Sequence, residues 1–363
     1  MKVLIVGAGP IGCYTARLLK EKKPDYEVTV IEEHPEIGRP VHCAGLVSAQ
    51  VLTETKVDIG KDFVLNRIDG ATLFLNGDQF NIKRQNVAVV IDREKFDRAL
   101  GEGLDIQFNT RFMGIEPEGD GYLVETDKGD FHADIVIGAN GANSSLRKAA
   151  EFKEDIKFWR GVQFRMKFDQ CERSFVRVYL RDQFFSWIIP EEEGIVRAGI
   201  ISNNPYHDLI QFLQDAQIEG EILEKFAGIV PLGKCQTQKD GIFLVGDAAC
   251  QVKPMTHGGI YYGMRCAEIL VDCIAEHRFG DYEKEWKHRF WREFMIGLKL
   301  KQVYEKLSHD DIKGIFMALK ENMHTIENYA DFENHSKIIS MLIKSPKLQF
   351  LLGRVIISLF EDT

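Results

Sequence analysis

The stretch Lys2-Val3-Leu4-Ile5-Val6-Gly7-Ala8-Gly9-Pro10-Ile11-Gly12 decides how the rest of the chain is read. Residues of strand character, Lys2–Val6, run directly into G-x-G-x-x-G. The spacing then predicts a helix over 10–22, a turn at Pro24 and Asp25, and a second strand over 27–32. Gly7 permits the tight turn, Gly9 leaves room for a pyrophosphate, and Gly12 lets helix and sheet pack closely. The helix N-terminus adds unpaired N–H groups and positive potential. Glu32 ends the second strand 20 residues after Gly12, where an acid accepts both hydroxyls of an adenosine ribose. This βαβ unit opens a parallel sheet that binds a dinucleotide.

A second glycine motif lies far along the chain, at Gly241-Ile242-Phe243-Leu244-Val245-Gly246-Asp247-Ala248-Ala249, followed by Pro254 and Gly258-Gly259-Ile260. A strand ending in Gly-Asp, then a loop and a helix start, is the arrangement with which flavoproteins hold a ribityl chain. Asp247 is the candidate for a ribityl hydroxyl. Gly258, Gly259 and Ile260 are candidates to bring backbone N–H groups to the flavin pyrimidine, where negative charge appears on reduction. The competing reading is a buried strand capped by an Asp-containing turn. FAD is therefore the expected cofactor. With no second G-x-G-x-x-G, no separate nicotinamide domain is encoded.

Composition bounds the remainder. The 363 residues are 45% hydrophobic and 28% charged, which fits about two globular domains and excludes a disordered or polytopic membrane chain. A net charge of -9 argues against a nucleic-acid partner. Residues 276–363 hold 14 basic and 14 acidic side chains, so the acidic excess lies wholly in residues 1–275. The seven cysteines, Cys13, Cys43, Cys171, Cys235, Cys250, Cys266 and Cys273, form no C-x-x-C pair and no iron–sulfur ligand run. No metal site is expected, and a reducing, cytoplasmic compartment fits best. Val3–Val6 is too short for a signal-peptide core, and no apolar run reaches membrane-spanning length.

Between the two motifs, 71–75 and 79–82 around Asn76-Gly77 read as a hairpin, 87–91 as a buried strand, 93–100 as a helix, and 105–137 as short β runs closed by an apolar strand at 134–138. The runs 162–168, 175–181, 184–189 and 195–201 read as an antiparallel sheet. Expected boundaries are a discontinuous FAD-binding domain over 1–70, 86–155 and 236–280, a substrate domain over 71–85 and 156–235, and a helical region over 281–363.

Further residues carry a family resemblance. Pro40-Val41-His42-Cys43-Ala44-Gly45, preceded by Arg39, resembles the P-V-x-C-x-G of the geranylgeranyl reductase family, which includes archaeal digeranylgeranylglycerophospholipid reductases. Asp92-Arg93 followed by Phe96-Asp97 is similar to that family's Asp-Arg and Phe-Asp, and Phe185-Ser186-Trp187-Ile188-Ile189-Pro190 to its Y-x-W-x-F-P pocket motif. The chain departs from the pattern at Phe185 and Ile189, at Asn140, which replaces the Asp of a G-A-D-G segment in related hydroxylases, and at His257, where another Gly is usual. F-x-W-x-I-P is also close to the W-x-W-x-I-P of flavin-dependent halogenases, which lack P-V-x-C-x-G.

The resemblance implies a three-layer, Rossmann-type FAD-binding domain of the para-hydroxybenzoate hydroxylase kind, interleaved with an antiparallel substrate sheet and followed by helices. It implies cofactor contacts from Arg39, Cys43, Ala44, Gly45 and Arg93, and a substrate pocket at Phe185, Trp187 and Pro190. The activity implied is reduction of isoprenoid double bonds in a prenylated lipid or precursor, fed by reduced ferredoxin or NAD(P)H. Cys43 is the candidate proton donor or disulfide switch, against its reading as a small buried hydrophobe; Trp187 is core or pocket wall; His42 and His257 are acids or packing residues. A flavin monooxygenase or halogenase and a non-catalytic prenyl carrier stay open. Lys284 to Lys306, where basic and aromatic residues alternate, and the acid-free stretch 338–360 are candidate peripheral membrane contacts, against a reading as helices that close over the core or form an oligomer interface.

Overall fold

The computed structural model describes residues 1–329 and 331–334. Its first layer is a six-stranded sheet in the order Gln238–Lys239, Ile242–Leu244, Ile135–Gly138, Lys2–Val6, Glu27–Ile31 and Ile106–Gln107. The pairings are parallel except at the Gln238–Lys239 edge. The expected helix is Pro10–Lys22, with Pro10 in its first turn, where a missing N–H costs nothing. Helices Pro10–Lys22, Arg93–Gly101 and Ile260–Ala275 cover one face and share a core with Ile5, Val30 and Ile137. The other face is buried under a three-stranded sheet, Phe112–Glu118, Gly121–Thr126 and Phe131–Ala133, which completes the Rossmann-type three-layer architecture.

The second body is an eight-stranded sheet in the order Ile222–Cys235, Glu154–Lys167, Ile195–Ser202, Phe185–Glu192, Phe175–Leu180, Val64–Leu75, Asp78–Ile91 and Leu46–Ser48. It is antiparallel throughout except where Phe175–Leu180 runs parallel to Val64–Leu75. Helix Pro205–Asp215 covers one face through Leu209, Phe212 and Leu213, which meet Phe164, Ile188 and Ala198.

Three expectations shift. The hairpin strands run beyond 71 and 85, because a ladder irregularity at Ile68/Gly70 bends the pair instead of ending it and the exposed Lys83–Asn86 stretch remains extended. Residues 64–91 therefore belong to the large sheet as one unit. Strand Ile222–Cys235 escaped the sequence reading because it contains Gly228, Pro231 and Gly233; it is an edge strand, where a residue without an N–H is tolerated. The basic and aromatic run forms helix Tyr282–Lys306, whose Tyr282, Trp286 and Phe294 join the core of the nucleotide-side layers. That side of the segment closes over the core. The next, His309–Glu321, starts at a Ser308 capping box and packs Phe316 on Phe80 with centroids 5.0 Å apart. The 338–360 stretch lies outside the described residues. Among the described residues no helix is long and apolar enough to cross a membrane.

Candidate functional site

The nucleotide end is built by close packing. A Cβ on Gly12 would run into the Gly7 carbonyl, whereas one on Gly9 would meet nothing within 4 Å, so the turn is tight where it must be and open above Gly9. Glu32 lies beneath it: Oε2 accepts the Ala8 N–H at 2.8 Å and Oε1 the His34 N–H at 3.0 Å. The strand-end acid is thus seated against the glycine turn.

Gly246–Ala249 forms a short 3-10 turn directly after strand Ile242–Leu244. Its backbone is tied down by Gln251, whose Oε1 accepts the Gly246 N–H at 2.8 Å, and by fully buried Arg147, which donates to Ala248 O and Ala142 O at 2.9 Å each. Asp247 projects toward the start of helix Ile260–Ala275, where a Cβ on Gly259 would lie 2.6 Å from its Oδ1. Burial raises its pKa from 3.8 to about 6, with the Arg93 charge pulling the other way. Gly258 stands against Lys253 rather than Asp247. Helix Ile260–Ala275 has no side-chain cap.

The Cys43 loop is clamped between the two sheets. Asp92 caps helix Arg93–Gly101 by accepting the Lys95 N–H, which fixes Arg93 at the first turn. Arg93 forks onto Asp97 at 3.1 and 2.9 Å and also lies against the Cys43 thiol. Burial opposes its charge, but Asp97 and then Cys43 hold it firmly protonated. The Cys43 Sγ also receives the Gly45 N–H at 3.3 Å. From the large sheet, Arg197 donates to Ala44 O at 2.8 Å and Ile91 O at 3.2 Å while paired with buried Glu191, which Arg165 also contacts. Gln163 completes the clamp, with Nε2 on Cys43 O at 3.5 Å and Oε1 accepting the Trp187 indole N–H at 3.2 Å.

The structure therefore brings Cys43, Ala44, Gly45, Arg93 and Trp187 into one contact network, with Asp247 within the Arg93 field. Phe185 sits beside Trp187, ring centroids 6.0 Å apart, and stacks on His257 at 5.9 Å. Two expected residues fall elsewhere. Arg39 is exposed and bonds Glu94 at 2.7 Å, apart from this network. Pro190 alternates onto the Ile188 face, toward helix Pro205–Asp215, because side chains two apart share a face and Phe185 and Trp187 occupy the other; its carbonyl accepts Asn66 Nδ2. His42 bonds Ala227 O of the edge strand through Nδ1, and Asn140 organises its own loop through Ser144 and Ser145.

Arg197, Gln163 and Arg147 were not anticipated. Arg197 carried a legible signal, a lone charge inside the apolar run Ile195–Ile201. Among the described residues no cluster of His, Cys, Asp and Glu is arranged to hold a metal ion.

A parallel sheet with a glycine turn at one strand end, joined to a second sheet that carries an aromatic wall, defines a dinucleotide-dependent oxidoreductase. Residues 5–44 match the family described as an NAD(P)-binding Rossmann-like domain. The chain belongs to the geranylgeranyl reductase family of flavoproteins. It is 29% identical to the digeranylgeranylglycerophospholipid reductase of Methanosarcina acetivorans, covering 88% of each chain. An uncharacterized protein of Methanocaldococcus jannaschii is 30% identical over 94% of this chain and 95% of its own. A geranylgeranyl bacteriochlorophyll reductase-like protein of Thermoplasma acidophilum has the same fold, with TM-score 0.83, 24% identity and 98% of both chains covered.

Proposed function

We propose that the chain binds FAD between the Gly9 turn and the Asp247 loop and saturates isoprenoid C=C bonds of a geranylgeranyl-type lipid or precursor. The residues present fit the cofactor. The space above Gly9 accepts a pyrophosphate, Glu32 stands at the ribose position, and the Asp247 carboxylate makes no hydrogen bond among the described residues, which leaves it for a ribityl hydroxyl. The uncapped start of helix Ile260–Ala275 offers N–H groups to the pyrimidine edge.

The chemistry that reduced FAD would supply when held there is a hydride for one alkene carbon. An isolated alkene accepts hydride poorly, so the other carbon must receive a proton at the same site. The observation that carries this reading is the Cys43 thiol held between the Gly45 N–H and Arg93. Cys43 is the group that would supply the proton, positioned by the Gly45 N–H and by Arg93. Gln163 fixes the Cys43 backbone against Trp187, and the Phe185 and Trp187 rings exclude water from an apolar chain lying along them. Reduced ferredoxin or NAD(P)H restores the electrons, and a lipid substrate brings the protein to a membrane surface.

The test is anaerobic incubation of the FAD-loaded protein with geranylgeranyl lipids and dithionite. Products heavier by two hydrogens per bond are the expected result. Bound FAD with unreduced lipid overturns the assignment, and oxygen-dependent hydroxylated or halogenated product identifies a monooxygenase or halogenase instead.

A further inference from the structure

Beyond Phe185 the aromatic wall ends in a buried imidazole that the chain itself does not satisfy and in a buried lysine that makes no ion pair among the described residues. His257 has a φ of +61°, a backbone region in which non-glycine residues are uncommon. Both ring nitrogens are buried without a hydrogen-bond partner. Its ring stacks on Phe185 and lies 6.4 Å from Trp159. Burial, and then the Lys301 charge, lower its pKa to about 3, so it is a neutral imidazole with one N–H to donate. Lys301, from the closing helix, is 4% exposed and makes no ion pair among the described residues; its ammonium sits 4.3 Å from the Trp159 ring centroid. Lys157 stands equally close to the same ring, but it is exposed and bonded to Glu305 at 3.3 Å.

A buried imidazole without a partner is costly, and so is a buried ammonium whose acidic neighbour, Glu305, is already paired with Lys157. One ligand chemistry offsets both costs: an anion rich in acceptor oxygens. We propose that Lys301 and His257 bind the phosphate end of the prenylated substrate. The proposal rests on the reductase reading and adds the orientation of the substrate. Contacts lead without a break from Cys43 through Gln163, Trp187 and Phe185 to His257, and from there over Trp159 to Lys301. The apolar chain lies along the rings with its reacting bond toward Cys43, and the anionic end rests at Lys301, beside the exposed Lys157.

Calorimetric titration of the FAD-loaded full chain with geranylgeranyl monophosphate and with geranylgeraniol tests this. The phosphate should bind at least about ten-fold more tightly. Lys301→Met should bring the two close to parity without weakening the alcohol, Lys301→Arg should keep the preference, and His257→Gly should reduce it several-fold. Equal binding by the unmodified protein, or a preference that survives Lys301→Met, overturns the proposal; the unmodified comparison stands even if a variant fails to fold. A parallel titration with digeranylgeranylglyceryl phosphate separates the sources. Lys301 dependence for the monophosphate assigns a soluble precursor, and dependence for the glycerolipid alone assigns a lipid headgroup; both support the site. Failure here is distinguishable from failure of the reductase reading. Equal binding with both compounds reduced removes only the anion site, whereas a phosphate preference with neither reduced removes only the reductase assignment.

Discussion

Asp247 shows how a single carboxyl answers to two conditions. In the cofactor-free protein its folded pKa, about 6, stands above the ordinary 3.8 because burial disfavours the charged form. An acid shifted upward contributes stability that is fully present below its unfolded pKa and is lost as pH rises through its folded pKa. The expected outcome is that Asp247→Asn apoprotein gains in Tm relative to the unmodified apoprotein between about pH 4 and about pH 8. A pH-independent difference would show that the carboxyl does not titrate with folding. The same variant should bind FAD more weakly at neutral pH. At Cys43 the proposed proton-donor role sets a different expectation: Cys43→Ala should keep its flavin, read by absorbance, and lose most turnover. Unchanged turnover would return Cys43 to a packing role.

Elements differ in how much of their role is written in their own residues. The Gly7–Gly12 turn, helix Pro10–Lys22 and strand Ile242–Leu244 were legible because each obeys a local rule, of spacing, of capping or of apolar continuity. Strand Ile222–Cys235 was not, since its glycines and proline are tolerable only at a sheet edge, and edge position is a property of the whole sheet. The clamp on the Cys43 loop was hidden for the same reason: Gln163 and Arg197 reach Cys43 and Ala44 from strands more than a hundred residues away. Arg197→Leu tests that clamp. Breaking a buried pair costs roughly 3–5 kcal/mol when a bare charge is left, and about 2–3 kcal/mol is expected here because Arg165 still neutralises Glu191. Denaturant unfolding measures the loss, and faster labelling of Cys43 by a thiol reagent should accompany it. Gly199→Ala is the companion test, since its methyl group would collide with the Trp187 indole. It should shift Trp187 from Gln163 and lower turnover while sparing FAD binding.

At the scale of the molecule, the described C-terminal residues 331–334 return to the site. Glu333 pairs with Lys253 at 2.9 Å with both side chains buried, and Phe332 packs among Ile68, Val90 and Trp187. Burial raises the pKa of Glu333 and lowers that of Lys253 despite their mutual attraction, so desolvation outweighs the pair at both ends. Lys253→Met alone should destabilise the protein by about 3–5 kcal/mol, and Lys253→Met with Glu333→Leu should recover most of that loss. A double variant as unstable as the single one would show that the pair is a net source of stability.

The strand order has one more consequence. The chain leaves one sheet for the other four times, after Ile31, Ile91, Gly138 and Cys235. Two bodies joined by one linker come apart at a single break; two joined at four crossings do not. No single cut therefore yields two pieces that each own a complete sheet. Splitting the gene for separate expression, or grafting the aromatic wall onto another nucleotide-binding domain as one contiguous insert, would leave strands Val64–Leu75 and Asp78–Ile91 without the neighbours that bury them.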